Sequence, residues 1–314
     1  MTSKVPTGPG RVAVLIATYN GARFLPRQLE TIEWQTVPLI DVWASDDGSG
    51  DSTVDLLKHA AAGWKKGRFE IVDGPRKGLS ENFRSLLRRM DIDADFVACS
   101  DQDDVWQPDK LQKAINWLGG QDPAKPALYC CRVGLIDEQG RALGFSPLFR
   151  GPADLRNALV QSIAGGNTMV MNRAAHQLLR KAAQRTGFVI HDWWAYLLVA
   201  AGGGSIRYSP EPSVLYRQHN TNMIGANTSW RSRFRRLEPL FAGRFAKWTD
   251  ENLAALAVCS DLLSAEGRAI VAAFSEMRRQ PLLSRIKALR RLGIHRQTWL
   301  GQISLYAACV LNKL

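Results

Sequence analysis

The chain has 314 residues, 46% hydrophobic and 22% charged, with a formal net charge of +12; it can bury a full core, which excludes a disordered or fibrous protein. Five cysteines, an odd number without knuckle spacing, argue against a zinc ribbon or disulfide framework and for buried thiols in a reducing compartment, with Cys99, Cys130 and Cys131 in apolar runs. No run reaches the roughly 18 apolar residues of a membrane span, and residues 1–10 lack the apolar centre of a cleaved leader, so a soluble or peripheral cytoplasmic protein is expected.

Residues 11–17 are β-branched and apolar, a strand that stops at the turn Thr18-Tyr19-Asn20-Gly21. Phe24, Leu25, Leu29 and Ile32 then recur at helical spacing to about Gln35. Residues 41–45 form a second strand ending in an acidic turn, Ser45-Asp46-Asp47-Gly48-Ser49. Asp51-Ser52-Thr53 caps a helix whose apolar face is Val54, Leu57 and Ala61. A third strand covers 69–72, and Ser80-Glu81-Asn82 opens a helix carrying Phe83, Leu86, Leu87 and Met90. The fourth strand, 96–99, runs into Ser100-Asp101-Gln102-Asp103-Asp104; Pro108 then starts a helix bearing Leu111, Ile115 and Leu118.

This alternation predicts an α/β fold with a mixed, mainly parallel sheet covered on both faces. After Gly120 come a strand at 127–133, a loop and helix over 150–164, a strand at 167–171, and helices at 172–185 and 191–201. Strands at 205–208 and 213–217 follow, and only helical patterns remain beyond Trp230. We expect a catalytic unit over 1–228 and a basic helical extension over 229–314.

Three carboxylates within four residues repel one another unless something positive sits among them. A hard divalent cation that also holds substrate phosphates answers this well, and two acidic strand ends in one α/β pattern point to a nucleotide–metal cleft. Ordinary solvated or helix-capping turns are the plainer alternative. No G-x-G-x-x-G follows the first strand and no G-x-x-x-x-G-K-[ST] is present, so a glycine-rich phosphate loop is excluded.

Val14-Leu15-Ile16-Ala17-Thr18-Tyr19-Asn20, Ser45-Asp46-Asp47-Gly48-Ser49 and Asp101-Gln102-Asp103-Asp104, in that order, resemble the inverting GT-A glycosyltransferases of family 2. Asp103-Asp104-Val105-Trp106 with Pro108-Asp109-Lys110-Leu111 is similar to the spelling in bacterial rhamnosyltransferases of surface polysaccharide synthesis. His191-Asp192-Trp193-Trp194 and Tyr216-Arg217-Gln218-His219 add to the likeness, which covers roughly residues 11–228.

The resemblance implies a GT-A nucleotide-sugar-binding sandwich and a set of roles. Thr18, Tyr19 and Asn20 line the nucleotide pocket, although Asn20-Gly21 also reads as plain turn chemistry. Asp46 and Asp47 hold the base or ribose, or one of them caps a helix. Asp101 and Asp103 form a D-x-D element, with Asp103 on Mg²⁺ or Mn²⁺ and Asp101 nearer the ribose. Asp104 substitutes for either or caps the next helix. His219 is a second metal ligand or a hydrogen-bonded loop histidine, and Arg217 pairs with phosphate. Asp192 is the base that deprotonates the acceptor hydroxyl; many relatives carry an acidic pair where this chain has His191-Asp192, and an N-cap is the competing reading. Trp193 and Trp194 stack on acceptor sugars or pack inside. Asn167, after Gly165-Gly166, lies where the backbone approaches the sugar or simply turns.

Beyond residue 281, leucines and isoleucines interleave with Arg285, Lys287, Arg290 and Arg291, and Leu300–Leu311 adds a more apolar stretch with Trp299 and Tyr306. They suit an anionic membrane surface, or a helix packed on the catalytic unit with a solvated basic face. Nucleic acid is not expected as a partner, because no recognition motif accompanies the charge. The expected activity is transfer of a hexose, rhamnose by likeness, from a nucleotide-diphosphate-sugar to a glycan or lipid-linked glycan at the inner membrane face. Another nucleotide-hexose donor, a non-catalytic nucleotide or carbohydrate binder, and a nucleotidyltransferase are the rivals.

Overall fold

The computed structural model describes residues 10–219 and 244–314. β1 (Val12–Thr18) and β2 (Ile40–Asp46) are buried at every position, as strands covered on both faces must be. They pair in parallel with each other, β1 also with β4 (Phe96–Ser100), and β2 with β3 (Phe69–Asp73). Helices α1 (Leu25–Glu33), α2 (Thr53–Gly63) and α3 (Leu79–Leu87) make the crossovers. The next elements are β5 (Val105–Trp106), α4 (Lys110–Leu118), β6 (Ala127–Ile136), β7 (Ala142–Phe145) and α5 (Leu155–Ala158). A single 3₁₀ turn (Gly166–Thr168) precedes β8 (Val170–Asn172), α6 (Arg173–Arg185), α7 (His191–Ala201) and β9 (Ser205–Arg217).

The sheet order is β3-β2-β1-β4-β8-β6-β9-β5, with β7 paired on β6. β2 and β3 extend to one side of β1 and β4 lies on the other, so the β1/β4 crevice is a topological switch point, where open α/β sheets bind ligands. From β8 onward antiparallel pairings enter, giving the mixed, mostly parallel sheet read from the sequence.

Alternate residues of β1 face two cores: Ala13, Leu15 and Ala17 one, Val12, Val14 and Ile16 the other. The first core continues into the C-terminal helices α8 (Arg244–Val258), α9 (Ala265–Arg279), α10 (Leu282–Arg291) and α11 (Trp299–Val310). Leu256, Phe274, Met277, Leu289 and Leu305 belong to the same cluster as Leu15 and Trp194. The expected boundary at 228/229 lies outside the described residues. All five cysteines are free and buried. Among the described residues no helix is long and apolar enough to cross a membrane.

Three local expectations change. The strands at 205–208 and 213–217 are one strand, β9, whose Ser209–Pro212 stretch coincides with a register shift opposite Cys131 and Val133, the place where a proline-bearing strand is tolerated. The strand expected at 167–171 begins as the 3₁₀ turn. β5 and the wholly exposed β7 are too short for alternation to reveal.

Candidate active site

The carboxyl ends of β1, β2 and β4 carry the motifs. Tyr19 and Gln102 tie the loops after β1 and β4 across the switch point: the Tyr19 amide donates to Gln102 Oε1 at 2.9 Å and Gln102 Nε2 donates to the Tyr19 carbonyl at 3.0 Å. Tyr19 itself is 57% exposed, an open ring at the mouth. Asn20 has a positive φ of 46°; its Oδ1 accepts from the Gly50 amide at 2.8 Å and its own amide donates to Ser49 Oγ at 2.8 Å. Its side chain therefore pins two loops together, as an asparagine in the left-handed region can.

The two acids at the end of β2 are occupied by nearby amides and hydroxyls. Asp46 accepts from Thr18 Oγ1 at 3.0 Å, from Ser49 Oγ at 2.6 Å and from the amides of Gly48 and Ser49. Asp47 accepts from the amides of Arg76 and Gly78 at 2.6 and 2.7 Å, shaping the loop before α3. Neither caps the following helix: Asp51 accepts from the amide and hydroxyl of Thr53 at the start of α2.

The acidic loop after β4 divides its work. Asp103 Oδ2 lies 2.7 Å from His219 Nε2, so residues 116 apart in sequence bring a carboxylate and an imidazole to one point. Asp104 is fully buried and turns inward, accepting from Asn167 Nδ2 and from the Arg217 amide at 3.1 Å. It neither faces the cleft nor caps α4. Burial, with Asp103 beside it, pushes its carboxyl up to about 8. Asp101 is raised well above the ordinary carboxylate range, first by burial, then by Asp104, Asp103 and Asp192.

Asp192 lies in the first turn of α7, whose N-cap position is Ile190, so the capping reading does not hold. It accepts from the Trp193 amide. Burial raises it to about 6, while the amides of Trp193 and Gly166 pull the other way. Gly166 approaches His191 so closely that a Cβ there would fall 1.9 Å from its Nε2, and His191 in turn stacks on Phe83 with ring centroids 3.8 Å apart.

Several expected ligand contacts are instead packing. Trp193 and Trp194 are buried; Trp193 Nε1 donates to the Ala158 carbonyl at 2.7 Å and its ring stacks on Phe245, while Trp194 stacks on Phe188. Neither offers a face to a sugar. Asn167, 2% exposed, serves Asp104. Arg217 is 6% exposed and its guanidinium donates to the carbonyls of Asp103, Asp137 and Glu138. It fastens the end of β9 to the acidic loop. Beside it, Arg23, Phe24, Arg27, Val105, Glu138 and Arg217 line an open cavity of about 540 Å³ at the β5–β9 edge. This cavity adjoins the acidic loop without including Asp101 or Asp103.

Sequence reasoning missed Gln102 and Lys110. Lys110 is 1% exposed, its Nζ lies 3.1 Å from the Trp106 ring centroid, and among the described residues that nitrogen has no hydrogen-bond partner. Burial lowers it to about 7, and Asp104 and Asp101 are among the groups opposing that shift. Its only signal was its place in the Pro108–Leu111 spelling.

Among the described residues no group of three or more His, Cys, Asp or Glu is arranged to hold a metal. Asp103 and His219 make a two-donor set, which suits a cation that takes its remaining ligands from substrate phosphates and water.

A doubly covered sheet with acids at the ends of β2 and β4, antiparallel pairings entering its second half and a carboxylate in the first turn of α7 define a GT-A glycosyltransferase. The chain belongs to glycosyl transferase family 2, whose family model matches residues 13–178. It is 28% identical over 233 residues to the dTDP-rhamnosyl transferase RfbG of Shigella flexneri, covering 71% of this chain and 78% of that one. It is 34% identical over 133 residues to the validoxylamine A glucosyltransferase of Streptomyces hygroscopicus subsp. jinggangensis, covering 41% and 30%. Two solved structures share the fold. The mannosyltransferase PcManGT of Pyrobaculum calidifontis, in complex with GDP-Man and Mn²⁺, aligns with TM-score 0.51 at 19% identity, over 98% of this chain and 88% of that one. S. aureus TarS 1–349 with UDP-GlcNAc aligns with TM-score 0.55 at 15% identity, over 96% and 89%.

Proposed function

We propose that this chain is an inverting, metal-dependent glycosyltransferase that moves a hexose from a nucleotide-diphosphate-sugar to a hydroxyl of a glycan acceptor. The observation that carries this reading is the meeting of Asp103 with His219 at 2.7 Å in the loop beyond the carboxyl end of β4, with Asp192 in the first turn of α7 as a separate carboxylate. A metal pair and a separate carboxylate are what direct displacement needs; binding without turnover has no use for the second.

Tyr19 and the loops set by Asn20, Asp46 and Asp47 receive the nucleotide, with Asp101 directed to the ribose. Asp103 and His219 would hold Mg²⁺ or Mn²⁺, the imidazole tilting the choice towards Mn²⁺. The bound cation would supply a Lewis acid that offsets the charge growing on the leaving diphosphate. Asp192 takes the proton of the acceptor hydroxyl as that oxygen attacks the anomeric carbon from the side opposite the diphosphate. One displacement inverts the configuration and leaves no glycosyl-enzyme.

The donor is kept at the level of a nucleotide-diphosphate-hexose. Rhamnose finds support in the name of the Shigella relative, while the other relatives are named for glucosyl, mannosyl and GlcNAc chemistry, so a different hexose donor fits the comparisons better. A lipid-linked acceptor at the inner membrane face completes the proposal. Thermal shift across dTDP, UDP and GDP with Mn²⁺ identifies the base, and NMR of the anomeric proton in the product tests inversion. A product retaining the donor configuration, or Mn²⁺-independent transfer, overturns the mechanism.

A further inference from the structure

The C-terminal helix α11 is apolar on two opposite faces. Leu305, Ala308 and Cys309 are buried against the molecule. Its exposed positions are Trp299, Leu300, Ile303, Ala307 and Val310, every one apolar, and at 100° per residue they fall within an arc of about 100°. Trp299 is 71% and Leu300 62% exposed. A helix apolar all round belongs in a core or against lipid, and among the described residues this outer face is bare. Leu282 and Leu283, exposed at the start of α10, lie on the neighbouring helix.

Of the segment that the sequence offered to lipid, the α10 part is used differently: Ala288 and Leu289 are buried in the common core. Three of its four cations point outward instead, while Arg285 is buried and donates to Asn312 Oδ1. Lys287, Arg290 and Arg291 are exposed, and the Arg290 guanidinium sits 5.7 Å from the Tyr306 ring centroid on α11, at the flank of the apolar arc. After Glu276 the chain holds eight Lys and Arg and no Asp or Glu.

We propose that α11 is the membrane-docking element of this protein: its outer face enters the headgroup–acyl boundary of an anionic bilayer, with Trp299 at the interface and the cations of α10 on lipid phosphates. The charge decides the occupant. A second copy of the chain would set the same patch against itself in a two-fold dimer, bringing two cationic rims together, whereas an anionic leaflet complements both the rim and the apolar centre. This deepens the peripheral attachment contained in the functional reading, but it rests on this surface and is tested without donor or metal, so failure of one leaves the other standing.

The test is co-flotation of the full chain with phosphatidylcholine vesicles, with and without about one third phosphatidylglycerol. Wild type should partition to anionic vesicles at least about tenfold better than to neutral ones, and Trp299→Gln/Leu300→Gln/Ile303→Gln should lose about tenfold or more on anionic vesicles. Lys287→Glu/Arg290→Glu/Arg291→Glu should abolish the anionic preference. All six positions are exposed, so unchanged melting is expected; were the glutamine variant to melt early, the charge-reversed one decides. No flotation by wild type, wild-type binding by both variants, or a dimer that the glutamine variant converts to monomer in sedimentation would overturn the assignment.

Discussion

Asp192 is the residue whose environment most directly sets its chemistry. Burial raises its carboxyl to about 6, so it is ionised at neutral pH yet far more basic than an exposed aspartate. Transfer under saturating substrates should therefore rise with pH through about 6 and level off above it. Asp192→Asn should slow transfer by roughly 10², remove that limb and leave nucleotide affinity unchanged; a collapse in affinity would move Asp192 into the donor site. The same shift has a stability consequence of definite sign. A carboxyl raised from 3.8 binds its proton more tightly folded than unfolded, so its contribution is present below about 4 and is lost as pH climbs to about 6. The Asn variant should thus melt higher than wild type at pH 7 and no higher at pH 4. Asp103 is tested through binding: Asp103→Ala should lose the Mn²⁺-dependent rise in melting temperature with nucleotide diphosphate, and His219→Ala should lose part of it. A full rise retained in Asp103→Ala would refute the metal assignment.

At the scale of elements, the 3₁₀ turn before β8 and the start of α7 form one device. Gly166 is a glycine because His191 fills the space a Cβ would need, 1.9 Å away, and His191 is held against Phe83 and cannot easily retreat. The Gly166 amide bears on the Asp192 carboxylate. Gly166→Ala should cost about 1–3 kcal/mol of stability, as overpacking does, and slow transfer with little change in donor affinity. Adding His191→Ala should recover much of the stability by freeing that space, which urea melting of the single and double variants measures. The pairing of turn and helix was not legible in the sequence, because nothing local announces that residues 25 apart will touch. The parallel half was legible: continuous apolar runs ending in Gly, Asn and Asp leave few other readings, and the acids at their ends followed. What sequence could not separate was a polar side chain facing the cleft from one facing inward. Asn167 and Arg217 looked like ligand-binding residues, yet they meet Asp104 and carbonyl oxygens contributed by distant segments. Lys110 is the converse case. A lysine opening a helix reads as solvated, and only the fold brings the Trp106 face and the acids of the β4 loop around it.

For the molecule as a whole, the C-terminal helices share one hydrophobic core with the sheet and α7. Trp193, the neighbour of Asp192, packs its indole against Phe245 and Trp248 of α8. Ser264 and Gly267, at the start of α9, close on the end of α7, where the Ser264 amide donates to the Ala201 carbonyl at 3.0 Å. A Cβ at Gly267 would fall 1.9 Å from that same oxygen. Leu256, Phe274, Met277, Leu289 and Leu305 are nearly fully buried in the shared core. Each such side chain contributes about 1.5–3 kcal/mol by burial, so these five alone rival the roughly 5–15 kcal/mol by which a domain is stable. A chain cut after residue 243 should therefore show no cooperative urea transition and bind no nucleotide, even though it keeps every residue assigned to the donor site. Cooperative melting of that fragment at the midpoint of the full chain would mean that the helices are a separate unit resting on a finished enzyme. The expected loss would mean that the helix bearing Asp192 owes its place to α8 and α9, and that the proposed membrane-facing helix and the proposed catalytic base are fixed by one continuous core.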